Sequence, residues 1–268
     1  MPGTVRSEVV EDGITLLTLD RPSRLNAMSI ELVADLHAAL DVVADDRSCR
    51  VVVLTGAGRG FCAGLDLKGL GPNPDTEGLG RAAAGLTTQQ HIATLVPHLR
   101  SLRQPVIAAV NGPATGGGFA LALASDVRIA ATSARFGTSF VRLGLSGCDI
   151  GVSWMLPRLV GASRAFELML TGRVFDSAEA EQLGLVTRLV PDDELLDTAL
   201  ETARLIVGNS PFGVWLTKEV MWSNLEVGSL QAGIDLENRT QILASFTEDH
   251  PEAMGAFLEK RPPAYRYR

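Results

Sequence analysis

Gly56-Ala57-Gly58-Arg59-Gly60-Phe61-Cys62-Ala63-Gly64-Leu65-Asp66 and Asn111-Gly112-Pro113-Ala114-Thr115-Gly116-Gly117-Gly118 decide how this chain reads. Each follows a short apolar run that reads as a buried strand, Val51-Val52-Val53-Leu54 and Val106-Ile107-Ala108-Ala109-Val110. Each leads into a segment that can start a helix. Backbone N–H groups at such junctions lack an intrahelical partner, and glycine lets another group come close. Two such junctions can aim two N–H donors at one oxygen, which is an oxyanion hole in outline. The same spacing also serves a chain that merely turns. Neither the GxGxxG dinucleotide pattern nor the GxxxxGK[ST] phosphate loop is present.

Outward from these segments the chain reads as strand–helix units. Residues 4–10 and 14–19 read as strands around Glu11-Asp12-Gly13. Ser29 can cap a helix reaching about Ala44, with Leu32, Leu36, Leu40 and Val43 as its apolar stripe. Residues 69–85 lack a steady period and read as a mobile surface loop passing into a helix that ends before Pro105. A small-residue helix follows Gly118, residues 127–130 form another strand, and Asp176-x-x-Glu179 fits a capping box. Residues 185–190 read as a strand, and from Asp192 the pattern is mostly helical. The expected organisation is a core over residues 1–191 and a helical region over residues 192–268.

Composition bounds the partners. The 268 residues can bury a sizeable core, and 46% hydrophobic with 21% charged residues is a globular balance. A net charge of −7 argues against nucleic acid as the main partner, though a local basic patch still suits a small anion. Cys49, Cys62 and Cys148 are odd in number and lack metal-like spacing, so a reduced, cytoplasmic protein without a metal is the expectation. No leader-like or membrane-spanning apolar run is read in the sequence.

Residue identity then narrows the reading. In order come Leu19-Asp20-Arg21-Pro22, Leu25-Asn26-Ala27-Met28, Phe61-Cys62-Ala63-Gly64-Leu65-Asp66, Pro105-Val106-Ile107-Ala108-Ala109-Val110-Asn111-Gly112, Gly116-Gly117-Gly118, Ser125-Asp126, Pro157-Arg158-Leu159-Val160-Gly161 and Leu170-Thr171-Gly172-Arg173. This series resembles the crotonase superfamily, the enoyl-CoA hydratase/isomerase family, over nearly the whole chain. The resemblance implies an α/β spiral of ββα units with a C-terminal helical region that builds trimers or dimers of trimers. It implies an acyl-CoA substrate and no separate cofactor. It places the oxyanion donors at the N–H groups of Leu65 and Gly117, where two fixed donors would hold a thioester enolate better than reorganising water.

The same resemblance exposes a departure. The hydratase branch carries two glutamates at positions that here hold Ala120 and Phe140, and neither side chain can transfer a proton. The member expected is therefore one that lacks both hydratase glutamates. Asp149, in Gly147-Cys148-Asp149-Ile150-Gly151, is the nearby carboxylate that remains. An Asp ahead of a helix can simply cap it. The resemblance also matches Asp149, allowing one extra residue, to the catalytic Asp of dienoyl-CoA isomerases and the nucleophilic Asp of 4-chlorobenzoyl-CoA dehalogenases.

For CoA binding the resemblance implies backbone contacts near Ala27, Ala63 and Leu65, with Asp66, Gly116, Gly117 and Phe140 also among the substrate- and CoA-binding residues. Arg24 and Lys68 suit the phosphates. Phe257 and Lys260 match C-terminal residues that complete the adenine and phosphate end, often from a neighbouring subunit. His91 and His98 read as surface or core-edge residues. One carboxylate suffices to move a proton between carbons, so double-bond isomerisation is the expected reaction. Nucleophilic hydrolysis or dehalogenation through Asp149, and acyl-CoA binding without catalysis, stay open.

Overall fold

The computed structural model describes residues 3–266. Its chain order is β1 Val5–Glu11, β2 Ile14–Leu19, α1 Ile30–Asp45, β3 Val51–Gly56, α2 Arg81–Ala93, α3 Leu95–Ser101, β4 Val106–Val110, β5 Pro113–Thr115, α4 Gly117–Ala124, β6 Val127–Ala131 and β7 Arg135–Gly137. There follow α5 Val152–Val160, α6 Ala162–Thr171, β8 Phe175–Asp176, α7 Ser177–Gln182, β9 Arg188–Val190, α8 Leu195–Val207, α9 Pro211–Asn224, α10 Leu230–Ser245 and α11 Asp249–Glu259. The larger sheet runs β1-β2-β3-β4-β6-β9 and the smaller β5-β7-β8. The β1–β2 pair is antiparallel, and every later pair of the larger sheet is parallel. Strand β4 in one sheet, β5 in the other and then α4 make one ββα turn. Strands β6 and β7 with the helices after them make the next, which is the spiral the resemblance implies.

The parallel strands are apolar at almost every position because both faces are covered. Alternate residues point to opposite faces: Leu17, Leu19, Val52, Leu54, Val106 and Ala108 enter one core with α1, α3, α4 and α5. Ile14, Leu16, Val51, Val53, Ile107 and Ala109 enter a second core beneath α8. That second core bears on the boundary expected at residues 191/192. Helix α8 lies beyond it in sequence, yet Leu195, Ala199 and Ala203 bury a stripe of spacing four on the sheet itself. The helices leave the sheet from Pro211 onward. There Lys218 of α9, with a side chain 5% exposed, donates to Gln104 O and reaches Asp126 Oδ2, each at 2.9 Å. Trp222 Nε1 donates to Asp126 Oδ1 at 2.7 Å. Burial pushes the Lys218 ammonium down, and Asp126 pulls it back.

Local expectations meet local causes. Ser29 accepts the Leu32 N–H and starts α1, and Asp176 accepts the Glu179 N–H and starts α7. The loop expected over residues 69–85 is shorter than its composition implies, because α2 begins at Arg81 and absorbs Gly85. The helix expected as one piece before Pro105 is two, with Pro97 in the first turn of α3, where its missing N–H costs nothing. The strand expected at 185–190 shortens to β9.

Candidate active site

Two asparagines, Asn26 buried and Asn111 half-buried, hold the first glycine segment in place. Asn26, with no exposed surface, donates from Nδ2 to Ala57 O and Gly60 O at 2.9 and 2.6 Å. Asn111 Nδ2 donates to Gly56 O and Gly58 O, both at 2.8 Å. The second segment is then stitched to the first. Cys62 N–H donates to Pro113 O and Thr115 N–H to Cys62 O, both at 3.0 Å, while Thr115 Oγ1 donates to Ala63 O at 2.9 Å. The approach leaves no room for side chains. A Cβ on Gly64, whose φ is +90°, would stand 2.8 Å from Thr115 O, and one on Gly118 would stand 1.9 Å from Cys62 O.

This stitching leaves two donors over. Met28 takes the neighbours of Leu65, donating to Gly64 O at 2.7 Å and accepting from Asp66 N–H at 2.9 Å. The Leu65 N–H itself has no partner among the described residues, and neither has the Gly117 N–H at the first position of α4. Each follows a glycine, and those two glycines touch: the Cβ point of Gly64 lies 3.6 Å from Gly116 Cα. The helix start adds partial positive charge beside Gly117.

Ala120 and Phe140 line up as apolar neighbours. Ala120 is fully buried in α4, and Phe140, 8% exposed, brings a ring carbon to 3.6 Å from the Cβ point of Gly116. Phe119 of α4 meets Phe136 tilted and Phe175 edge-on, while Phe136 and Phe175 stack, at centroid separations of 5.7 to 6.0 Å, which holds the smaller sheet against the helix.

Asp149 is delivered by a strained turn. Ile150 has φ of +46° and Gly151 of +77°, an uncommon region for a β-branched residue. The turn sets Ile150 Cδ1 at 3.4 Å from the Cβ point of Gly117, so the residue after Asp149 touches the oxyanion candidate. The half-buried Asp149 accepts from Ile150 N–H at 2.8 Å and from Gln89 Nε2 at 2.5 Å, both on Oδ1. Helix α5 is preceded by Gly151 and receives no side-chain cap, so capping is not what the carboxylate does. Gln89, on α2, carries no sequence signal: it looks like any polar helix residue.

The other expected residues scatter by role. Ala63 lies on the stitched segment and is half-buried, whereas Ala27 is buried and its carbonyl accepts from Arg21 Nη1. Asp66 is 5% exposed and pairs with Arg21 Nη2 at 3.0 Å. Burial would raise its carboxyl, but Arg21 and the Lys68 and Gly69 N–H groups outweigh that and hold it below the usual carboxylate range. Its side chain therefore organises the turn after Leu65, and Arg21 is a second residue that the sequence reading missed. Arg24 and Lys68 are exposed near that turn. Phe257, 83% exposed, and Lys260 sit on or just after α11, and the Lys260 side chain makes no hydrogen bond or ion pair among the described residues. Cys148 is exposed beside Asp149, while burial pushes the Cys62 thiol up to about 12, which makes it inert. A cavity of about 750 Å³, lined in part by Leu123, Met155, Val214 and Trp222, lies between the core and α9 and includes none of Leu65, Gly117 or Asp149.

Comparisons with known proteins bear on the family and the fold. The enoyl-CoA hydratase/isomerase family profile matches residues 10–268. A probable enoyl-CoA hydratase of Mycobacterium tuberculosis is 46% identical over 253 residues, 94% of this chain and 89% of that protein. The 1,2-epoxyphenylacetyl-CoA isomerase of Escherichia coli is 41% identical over 261 residues, covering 96% of both. The crystal structure of a probable enoyl-CoA hydratase/isomerase from Mycobacterium abscessus superposes with a TM-score of 0.94 at 39% identity, covering 99% of this chain and 100% of that one. With its motifs, its spiral fold and these relatives in agreement, the chain belongs to the enoyl-CoA hydratase/isomerase family and is an acyl-CoA enzyme of that family.

Proposed function

We propose that this enzyme shifts a double bond in an enoyl-CoA thioester by proton transfer. Asp149 Oδ2 takes a proton from a carbon flanking the double bond. The C–H electron pair passes to the thioester oxygen, which the Leu65 and Gly117 N–H groups hold as an enolate. The electrons return, and the distal carbon recovers the proton from Asp149. No cofactor takes part, because the CoA thioester is itself the substrate. The carrying observation is two N–H groups without a partner among the described residues, on touching turns, with the residue that follows Asp149, Ile150, packed against the Gly117 turn. Apolar Ala120 and Phe140 leave no second proton-transfer group at those positions. The relative named a 1,2-epoxyphenylacetyl-CoA isomerase supports isomerisation of an acyl-CoA in general.

Arg24, Lys68 and the backbone at Ala63 would face the CoA moiety. Phe257 and Lys260 would serve the site of a neighbouring subunit in a homotrimer or a dimer of trimers. In support, exposed apolar residues run along the C-terminal helices, among them Met221, Leu230, Phe246, Phe257 and Leu258. No helix among the described residues is long and apolar enough to cross a membrane.

The test is an enoyl-CoA panel turned over in deuterated water and read by mass spectrometry and product position. A moved double bond with no added water is expected, with deuterium entering to the extent that the protonated Asp149 exchanges with solvent before it returns the proton. Addition of water, or solvent ¹⁸O entering Asp149 in a single turnover, would overturn isomerisation in favour of hydration or of nucleophilic hydrolysis. Tight binding with no change in any acyl-CoA would indicate a binding protein.

A further inference from the structure

Both hydrogen bonds to Asp149 fall on the same oxygen. Ile150 N–H and Gln89 Nε2 donate to Oδ1, and Oδ2 has no partner among the described residues. Two donors on one oxygen fix the plane of a carboxylate and leave the other oxygen free for a reacting group. One donor is local and comes with the strained turn. The other comes from α2, 60 residues away in sequence.

Helix α2 is anchored on both sides of Gln89. Asn73 Nδ2 donates to Thr88 Oγ1 at 3.3 Å, and His37 Nε2 lies 3.2 Å from His91 O. Ile92 is buried in the core one turn further on. The amide is therefore aimed by its neighbours although its own side chain is exposed.

Resting on the isomerase reading, we propose that Gln89 is the positioning residue of Asp149, locking Oδ1 so that Oδ2 alone meets the substrate carbon. Its chemistry also bears on the reaction class. An amide can donate to a carboxylate but cannot accept a proton from water. The one side chain bonded to Asp149 among the described residues is thus unsuited to activating water against an aspartyl ester, and suited to holding an acid/base in register.

The experiment combines kinetics with NMR on the full-length protein. Gln89→Leu removes the donor and should lower turnover in the deuterium assay about tenfold, with KM within about twofold. Gln89→Glu keeps size and helix preference but faces Asp149 with a second carboxylate. Its turnover should be depressed at alkaline pH and partly regained toward acid pH, where a shared proton restores the donor. A purely structural surface role would leave that isosteric variant unaffected. In ¹H–¹⁵N spectra the Gln89 side-chain amide should show one proton shifted downfield, and Asp149→Asn should alter it. Wild-type turnover in both Gln89 variants would overturn the proposal. If the wild-type enzyme moves the double bond of no acyl-CoA in the panel, the isomerase reading fails by itself. The amide resonance still judges the contact, and its indifference to Asp149→Asn would refute it.

Discussion

The edge of the Phe140 ring packs 3.6 Å from the point where a Cβ would stand on Gly116, so one wall of the candidate oxyanion hole is an aromatic hydrocarbon. A glutamate stands at this position in the hydratase branch that the sequence resembles. A hydrocarbon edge there offers no group to activate water.

Hydration is accordingly expected to fail. Purified protein with crotonyl-CoA should show turnover far below the roughly 1 per second at the low end of typical enzymes. The loss of thioester-conjugated absorbance measures it. Brisk formation of the 3-hydroxy product would show that Ala120 and Phe140 do not limit the chemistry.

Asp149→Asn is expected to reduce turnover by about 100-fold or more. The melting temperature should hold within a few degrees, because α5 takes no cap from this side chain. Thermal melts beside rate measurements separate the two effects. An early melt with normal turnover would return Asp149 to a structural role.

Lys218→Met should destabilise the fold by about 3 kcal/mol, since it leaves the Asp126 carboxylate, 16% exposed, without its cation. Asp126 keeps its bonds from Val106 N–H and Trp222, so the protein should still fold. Urea titration gives the difference. A cost near zero would mean that water replaces the ammonium.

Stability should fall as pH drops below about 6.5. His37 of α1 lies with its Nδ1 2.9 Å from His98 Nδ1 of α3, and that contact has room for one proton. His91 is held below its ordinary value by burial and by His37, against a weaker pull from Asp75. His98 is held down by burial and by His37, against Asp41 on α1. A depressed histidine binds protons more readily when unfolded. Its contribution is therefore complete above the unfolded value and is lost as pH falls toward the folded one. Melting temperatures across pH 8 to 5 test this, and His98→Gln should flatten the lower part of the curve. An unchanged slope in that variant would assign the acid loss elsewhere.

Light scattering should show a trimer or a dimer of trimers, and truncation from Pro251 should weaken CoA binding. The observation behind it is the exposure of Phe257, Leu258 and Phe246 at 83%, 77% and 83% in one chain. A stable monomer that binds CoA fully after truncation would remove both the interface and the shared site.

Residue order alone determined a good deal. Strands apolar at almost every position had to be buried on both faces, Ser29 and Asp176 had to cap, and the glycines at 64 and 118 marked places where two backbones meet. These are local properties, set by period, by cap chemistry and by the absence of a Cβ. The meeting of Gln89 with Asp149, the pairing of Arg21 with Asp66, the stacking of His37 on His98 and the closure of the second core by α8 were decided only in three dimensions. Each joins residues on different elements through side chains of ordinary types. Their partners are chosen by how helices and loops pack around the sheet, and no local pattern in the chain encodes that choice.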